Sequence, residues 1–399
     1  MAMTYRGNIW RLFTSQALLS FMLWLPIWVV FLQGRGVSLT QIGLLEAVAW
    51  VISAAVEVPS GAIADRWGRK TSMALGYLAY SIAMFLILTK ALSPSFILGY
   101  ALWNSGFAFV SGADSALLYD SLKADARESE AARQSGRYQA IGQASQGLAA
   151  LLGAALATVN ITLCFVICGI GGLIATTLIL TVKEPPTAEE GVDRLSYWQN
   201  LRAALRIAAR RPLVRVLLLL SAILFTVPLI VYYFLLQPYA LEVGLPIASL
   251  GLVVVGVQAT SVLASWLAHR AEGRASLPAI VGVGGVLIVG ATAGLAAVPS
   301  IATIALMLVV ALVPALLSPL LLARINDLIP SPQRATVLSL SGLISELATA
   351  GAAPLLMITA DVASPPAAIG VAGAVFALFF VPLWLIWRSA DARAQGDRS

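Results

Sequence analysis

Runs of about twenty apolar residues, each long enough to cross a hydrocarbon core of ~30 Å, recur from one end of this 399-residue chain to the other. That recurrence restricts the fold more than any motif. In lipid each backbone N–H and C=O must be satisfied within the chain, so only helices or a closed barrel can span, and no segment alternates with the period of two that barrel strands need. The spacing predicts an all-α integral membrane protein with about twelve transmembrane helices. They are expected near 8–33, 39–61, 71–91, 95–120, 135–158, 161–182, 213–240, 245–268, 276–298, 300–327, 335–360 and 365–388. The charged fraction agrees at 11%, against roughly 25% in soluble domains.

Basic residues sort by side. Of the 25 Lys and Arg, 23 fall in alternate loops and adjoining helix ends counted from the N-terminus, which leaves only Arg35 and Lys90 for the other face. By the positive-inside rule both termini are cytoplasmic, in a multi-pass bacterial-type cytoplasmic (inner) membrane. The formal net charge of +6 then follows from topology, and the implied partner is the lipid bilayer rather than a nucleic acid. The first span is long and has no small-residue cleavage site, so it reads as a span and not a removable signal. Lys183 to Pro212 is the one long polar interruption. It divides the chain into an N-terminal bundle (1–182), a cytoplasmic linker (183–212), a C-terminal bundle (213–388) and a cytoplasmic tail (389–399). Within the linker, Leu195, Trp198, Leu201, Leu205 and Ala208 fall on one helical face and Arg202, Arg206 and Arg210 on another. This pattern predicts an amphipathic helix on the cytoplasmic leaflet, the alternative being a solvated linker with no lipid role. Cys164 and Cys168, four apart on one predicted helix, read as helix packing rather than a metal or redox pair. No metal and no cofactor are expected, and the chain is expected to be monomeric.

Between the second and third predicted spans stands GAIADRWGRK, Gly61 to Lys70, a charged cluster inside strongly apolar sequence. Topogenic positive charge accounts for Arg66, Arg69 and Lys70, but not for the paired glycines or the Asp. Here the chain resembles the major facilitator superfamily, whose signature Gly-x-x-x-Asp-Arg-x-Gly-Arg-Lys is matched by Gly61, Asp65, Arg66, Gly68, Arg69 and Lys70. The resemblance implies that the Asp caps a helix of the opposite half while the Arg residues pair with neighbouring acids, a charge-assisted contact that can break and re-form. These six residues, with Glu57, Asp120, Arg137 and Arg334, would then form a cytoplasmic gate. A degraded second copy, SWLAHRAEGR, places His269 and Arg270 at the Asp-Arg positions, with Gly273 and Arg274 one residue late. The loops before the fifth and eleventh spans also echo each other, Asp120 with Arg133 and Arg137 in one, Asp327 with Arg334 in the other. Internal duplication and resemblance together imply two pseudo-symmetric six-helix bundles working by alternating access. Among superfamily members the chain resembles the drug:proton antiporter-like bacterial ones. It departs from two of their patterns: the fourth span has no intramembrane Arg, and the fifth has no Gly-Pro pair.

Ionisable groups inside a bilayer are costly and mark function. Glu46 and Glu57 share one face of the second span, since eleven residues at about 100° each return to within ~20° of the starting direction. Asp114 lies among Phe, Val, Ala and Leu, where desolvation disfavours the charged form and suits the carboxyl to proton exchange near neutral pH. Glu346 holds a comparable place in the second half. Asp114, Glu46 and Glu346 are therefore the proton-coupling candidates, with an interhelical hydrogen bond the alternative role of each. Gln16, Ser20 and Trp24 in the first span, Asn104 in the fourth, Gln139 and Gln143 in the fifth, Tyr232 and Tyr233 in the seventh and Gln258 in the eighth are the substrate-binding candidates. The resemblance implies that the first, fourth, seventh and tenth helices line the pathway. No Lys or Arg lies in the middle of a span, which favours a neutral or cationic amphipathic small-molecule substrate over a phosphate or dicarboxylate. The leading expectation is secondary active transport, proton-coupled export of a cationic or amphipathic molecule. The alternatives are a proton-coupled importer of a neutral nutrient, with sodium an alternative coupling ion, and a lipid or lysolipid flippase or non-transporting receptor. Enzymatic catalysis is disfavoured, because no nucleophile motif, phosphate loop or metal-ligand cluster is present.

Overall fold

A computed structural model describes residues 5–186, 197–271, 276–330 and 333–396. Regular structure among them is helical throughout. In chain order the elements are α1 (Arg6–Ser20), α2 (Trp28–Gly34), α3 (Leu39–Trp67), α4 (Arg69–Leu86), α5 (Pro94–Val110), α6 (Ala113–Ala124) and α7 (Ala131–Leu180). Then come α8 (Tyr197–Arg210), α9 (Pro212–Ile230), a π-helical turn (Val231–Leu235), α10 (Leu236–Glu242), α11 (Ile247–Ala271), α12 (Leu277–Ala297), α13 (Leu306–Asp327), α14 (Arg334–Val362) and α15 (Pro365–Gly396). Nine helical stretches among the described residues are long and apolar enough to cross a bilayer. The protein is an all-α integral membrane protein.

The differences from the sequence expectation are local. The first span breaks between α1 and α2, and the fourth breaks at Ser111 and Gly112, where Gly112 takes φ 78°. α7 contains two expected spans, turned at Asn160 by extended backbone (φ −158°, ψ 101°). The motif beginning at Gly61 is not a loop: α3 stays helical through Trp67 and the turn falls at Gly68 alone. The expected tail is helical to Gly396, as the continuation of α15. Leu195, Gly273 and Arg274 lie outside the described residues. α8 packs on α9 and α14, so its surroundings include protein as well as any lipid surface.

Two compact units emerge. The first comprises Met1–Val37, Val48–Asp193 and Pro246–Val255, the second Ser38–Ala47, Arg194–Leu245 and Gly256–Ser399. Segments 38–47 and 246–255 thus each group with the sequence half to which they do not belong. Within the first unit α1 and α4 pack on α7, and α4 crosses α5 closely at two glycines. A Cβ on Gly76 would stand 2.6 Å from the Gly106 carbonyl oxygen, so only hydrogen allows that approach. Hydroxyls tie the helices together: Ser72 donates to Phe109 O (2.7 Å), Ser81 to Gly169 O (2.6 Å) and Ser145 to Ala17 O (2.6 Å). Within the second unit α9 packs on α13, α14 and α15, and α12 on α13 and α15. There the start of α3 is held by Asp361, whose carboxylate accepts from Leu39 N (3.2 Å) and Thr40 N (3.0 Å) at the positive end of the helix.

Candidate functional site

Helix irregularities inside apolar spans are the first guide to a site. A break frees backbone groups that lipid cannot satisfy, so it persists only where protein or a cavity receives them, and transporters use such half-helix ends. The α1–α2 break carries Trp24, whose indole N–H donates to the Tyr80 hydroxyl at 3.0 Å. Trp24 also meets Trp103 edge-on, at 4.6 Å between ring centroids. The carbonyl of Phe21, which accepts from Leu23 N (3.2 Å), also accepts from the Cys168 thiol (3.2 Å), while Cys164 donates to Gly153 O (3.5 Å). Both cysteines are buried, and their work is to satisfy backbone. Among the described residues no group of acidic, His and Cys side chains is arranged to hold a metal.

The second break presents Asp114. It lies in the first turn of α6, two residues after Gly112, and its carboxylate accepts from Ser115 N at 2.6 Å. An acid there faces the positive end of the half-helix. Tyr77 of α4 and Tyr138 of α7, both buried, bring their hydroxyls within interaction range of this carboxyl. Neither hydroxyl completes a hydrogen bond of good geometry among the described residues. Buried donors of this kind are normally satisfied, so two tyrosine hydroxyls beside one carboxyl mark this place as a candidate site. Sequence reasoning missed both tyrosines.

Toward the basic end of the same unit, Arg69 pairs with Asp120 and donates to Ala116 O at 3.1 Å. Glu184, also unforeseen, accepts from Arg69 N (2.7 Å) and Lys70 N (3.1 Å), so it caps α4. Gly68 makes room with φ 92°, and a Cβ there would lie 3.0 Å from the Glu184 carboxyl. Asn8, 1% exposed, donates to Ser121 Oγ (2.9 Å) and Lys183 O (2.8 Å) and accepts from Lys183 N (3.1 Å). Gly61, Asp65, Arg66, Glu57 and Arg137 are exposed, and Arg334 donates to Asn326 O at 3.2 Å.

The uncharged candidates divide. Gln16 and Ser20 of α1 lie against Gly142 of α7, beside exposed Gln139 and Gln143. Asn104 is half-buried and donates to Tyr100 O on its own helix (3.2 Å). In the second unit Tyr232 and Tyr233 occupy the π-helical turn just after Pro228, with ring centroids 4.8 Å apart. Such turns widen a helix locally and recur at functional sites. Glu346 and Gln258 are half-buried, and Glu46, in the segment 38–47, is buried. Near Glu346, Thr349 donates to Ser345 O (2.8 Å) and Thr226 Oγ1 lies 3.5 Å from Thr349 Oγ1.

A polytopic helical protein with interrupted spans and a half-buried carboxyl at a half-helix end has the make-up of a membrane transporter. The pattern that defines the Major Facilitator Superfamily matches residues 12–313, and the chain belongs to that superfamily of transporters. A curated relative, the "Uncharacterized MFS-type transporter YxaM" of Bacillus subtilis (strain 168), is 36% identical over 93 residues, 22% of each chain. That match spans about a fifth of the relative's length. Among solved structures, the nucleoside transporter NupG superposes with a TM-score of 0.79 at 13% identity, covering 96% of this chain and 98% of that one. A bacterial homologue of the human lysosomal transporter Spinster gives 0.73 at 17% (98% of each chain), and a D-xylose–proton symporter 0.72 at 14% (94% and 96%). At these identities the likeness is one of fold.

Proposed function

We propose that the protein is a proton-coupled secondary transporter in which Asp114 takes up and releases the coupling proton. The carrying observation is the carboxyl at the start of a half-helix inside a span, faced by the buried hydroxyls of Tyr77 and Tyr138. Ionised, the carboxylate is stabilised by the helix end and can accept from a tyrosine. Protonated, it no longer draws on those donors, and the helices around it are free to repack. Two protonation states thereby favour two arrangements of α4, α6 and α7. The substrate is read as a cationic or amphipathic small molecule that competes with the proton, which gives antiport and export. The apolar aromatic surroundings and the lack of basic residues in the middle of a span support that class. A second reading, symport of a neutral solute, is favoured by the fold shared with a D-xylose–proton symporter.

Purified protein in liposomes that hold a pH-sensitive dye tests both. On addition of substrate, antiport and symport move protons in opposite directions relative to it, and Asp114→Asn is expected to abolish either movement. Substrate-driven proton flux of wild-type size in Asp114→Asn would remove the residue from the coupling role.

A further inference from the structure

Helices α12 and α15 leave a groove between them of about 910 Å³, within the ~300–1,000 Å³ typical of ligand sites. Its walls are apolar: Val283, Val286 and Gly290 from α12, Phe380, Val381 and Trp384 from α15. Only one end is polar, where Ser276, Arg388 and Asp391 line it. Asp391 accepts from Arg324 at 2.8 Å, so its charge is answered within the protein. Arg388 lies over the Trp384 ring, 5.4 Å from its centroid, and is exposed. Among the described residues lining this end, Asp391 is paired with Arg324 and Arg388 adds a positive charge.

The groove is a built feature. Trp384 is fixed at its charged end by donating to Pro278 O (2.6 Å), and it packs so closely on α12 that a Cβ at Gly282 would meet the ring at 2.7 Å. From Ser276 to Gly290 the helical rise is about 21 Å. Half a hydrocarbon core is ~15 Å, so the groove runs from headgroup level to just past the midplane, the depth of one leaflet. A second apolar groove of about 250 Å³ lies on the other side of α12, against Leu312 and Leu316 of α13, and shares Ala279, Val283 and Leu287 with the first.

We infer that α12 is straddled by one anionic phospholipid of the leaflet at the basic end of the helices. Its chains occupy the two grooves and its phosphate meets Arg388. Basic pockets between spans are the sites where acidic headgroups bind, and the charge on Arg388 selects against a zwitterionic lipid. The site lies wholly within the second unit and takes no residue from the first, to which Asp114 belongs, so it serves as a structural lipid site and not as the transport site.

The test is native mass spectrometry of the full-length protein, titrated with phosphatidylglycerol or phosphatidylcholine of identical chains. Wild type is expected to retain one phosphatidylglycerol about fivefold more tightly, the contribution of a single basic side chain near a membrane surface. Arg388→Gln should equalise the two lipids. Gly290→Leu should weaken both, because a Cβ at Gly290 meets open space and the added side chain fills the groove without disturbing the helices. Equal retention of both lipids by wild type, unchanged retention in both variants, or a second copy of the chain bound in place of lipid would overturn the assignment.

Discussion

Gly68 shows how much one residue decides at the basic end of the first unit. Its φ of 92° turns the chain from α3 into α4 within a single residue, and its missing side chain admits the carboxylate of Glu184 to the first N–H groups of α4. Gly68→Ala combines a disfavoured backbone conformation with a Cβ 3.0 Å from that carboxyl, so it should cost about 1–2 kcal/mol, read as a lower midpoint in denaturant unfolding. The same reasoning separates Asp114 from its neighbours. Tyr138→Phe removes one donor but keeps the carboxyl, so transport should stay proton-driven while slowing by about ten- to a hundredfold, the value of one hydrogen bond to a charged group. Substrate-dependent proton flux in liposomes distinguishes that outcome from the loss of coupling expected of Asp114→Asn. Asp114 was legible in the sequence because a carboxyl among Phe, Val, Ala and Leu is conspicuous. Tyr77 and Tyr138 were not, since tyrosine is ordinary in a span and only the packing of α4 and α7 brings them to α6.

At the scale of elements, hydropathy placed the spans but could not see inside them. Apolar residues run without interruption through 21–27, and Ser111 and Gly112 are too small and too few to divide the fourth span, so a window average reads each pair of half-helices as one. The local signals were present and weak: Pro26 in the first break, Gly112 in the second, Pro228 ahead of the π-helical turn. Glu184 escaped notice for another reason. An acid just beyond a span reads as solvated loop, and its use as a cap depends on α7 ending beside the start of α4. Glu184→Ala should leave the α4 N–H groups of Arg69 and Lys70 without that acceptor and cost about 1 kcal/mol, a typical value for a lost N-cap. Glu184→Gln, which keeps an acceptor but loses the charge, should recover part of that stability. Equal loss from both variants would mean that charge alone holds the turn.

For the molecule as a whole, the distribution of charge makes a claim about orientation that the helices themselves do not. With 23 of 25 basic residues in alternate loops and helix ends, the positive-inside rule predicts Lys90 outside and Lys123 inside. Both side chains are exposed, and the two native cysteines are buried at 0% and 2%, so an impermeant maleimide should leave wild-type protein unlabelled. Lys90→Cys should react in intact cells. Lys123→Cys should react only after permeabilisation, because its helix, α6, ends on the face that also carries Arg69 and the N-terminal turn held by Asp125 through Tyr5 N at 2.8 Å. The reverse pattern would invert the topology, move the Arg388 end of the lipid groove to the outer leaflet and exchange import for export in the proposed cycle. A single labelling pair therefore tests the reading of charge on which the direction of transport depends.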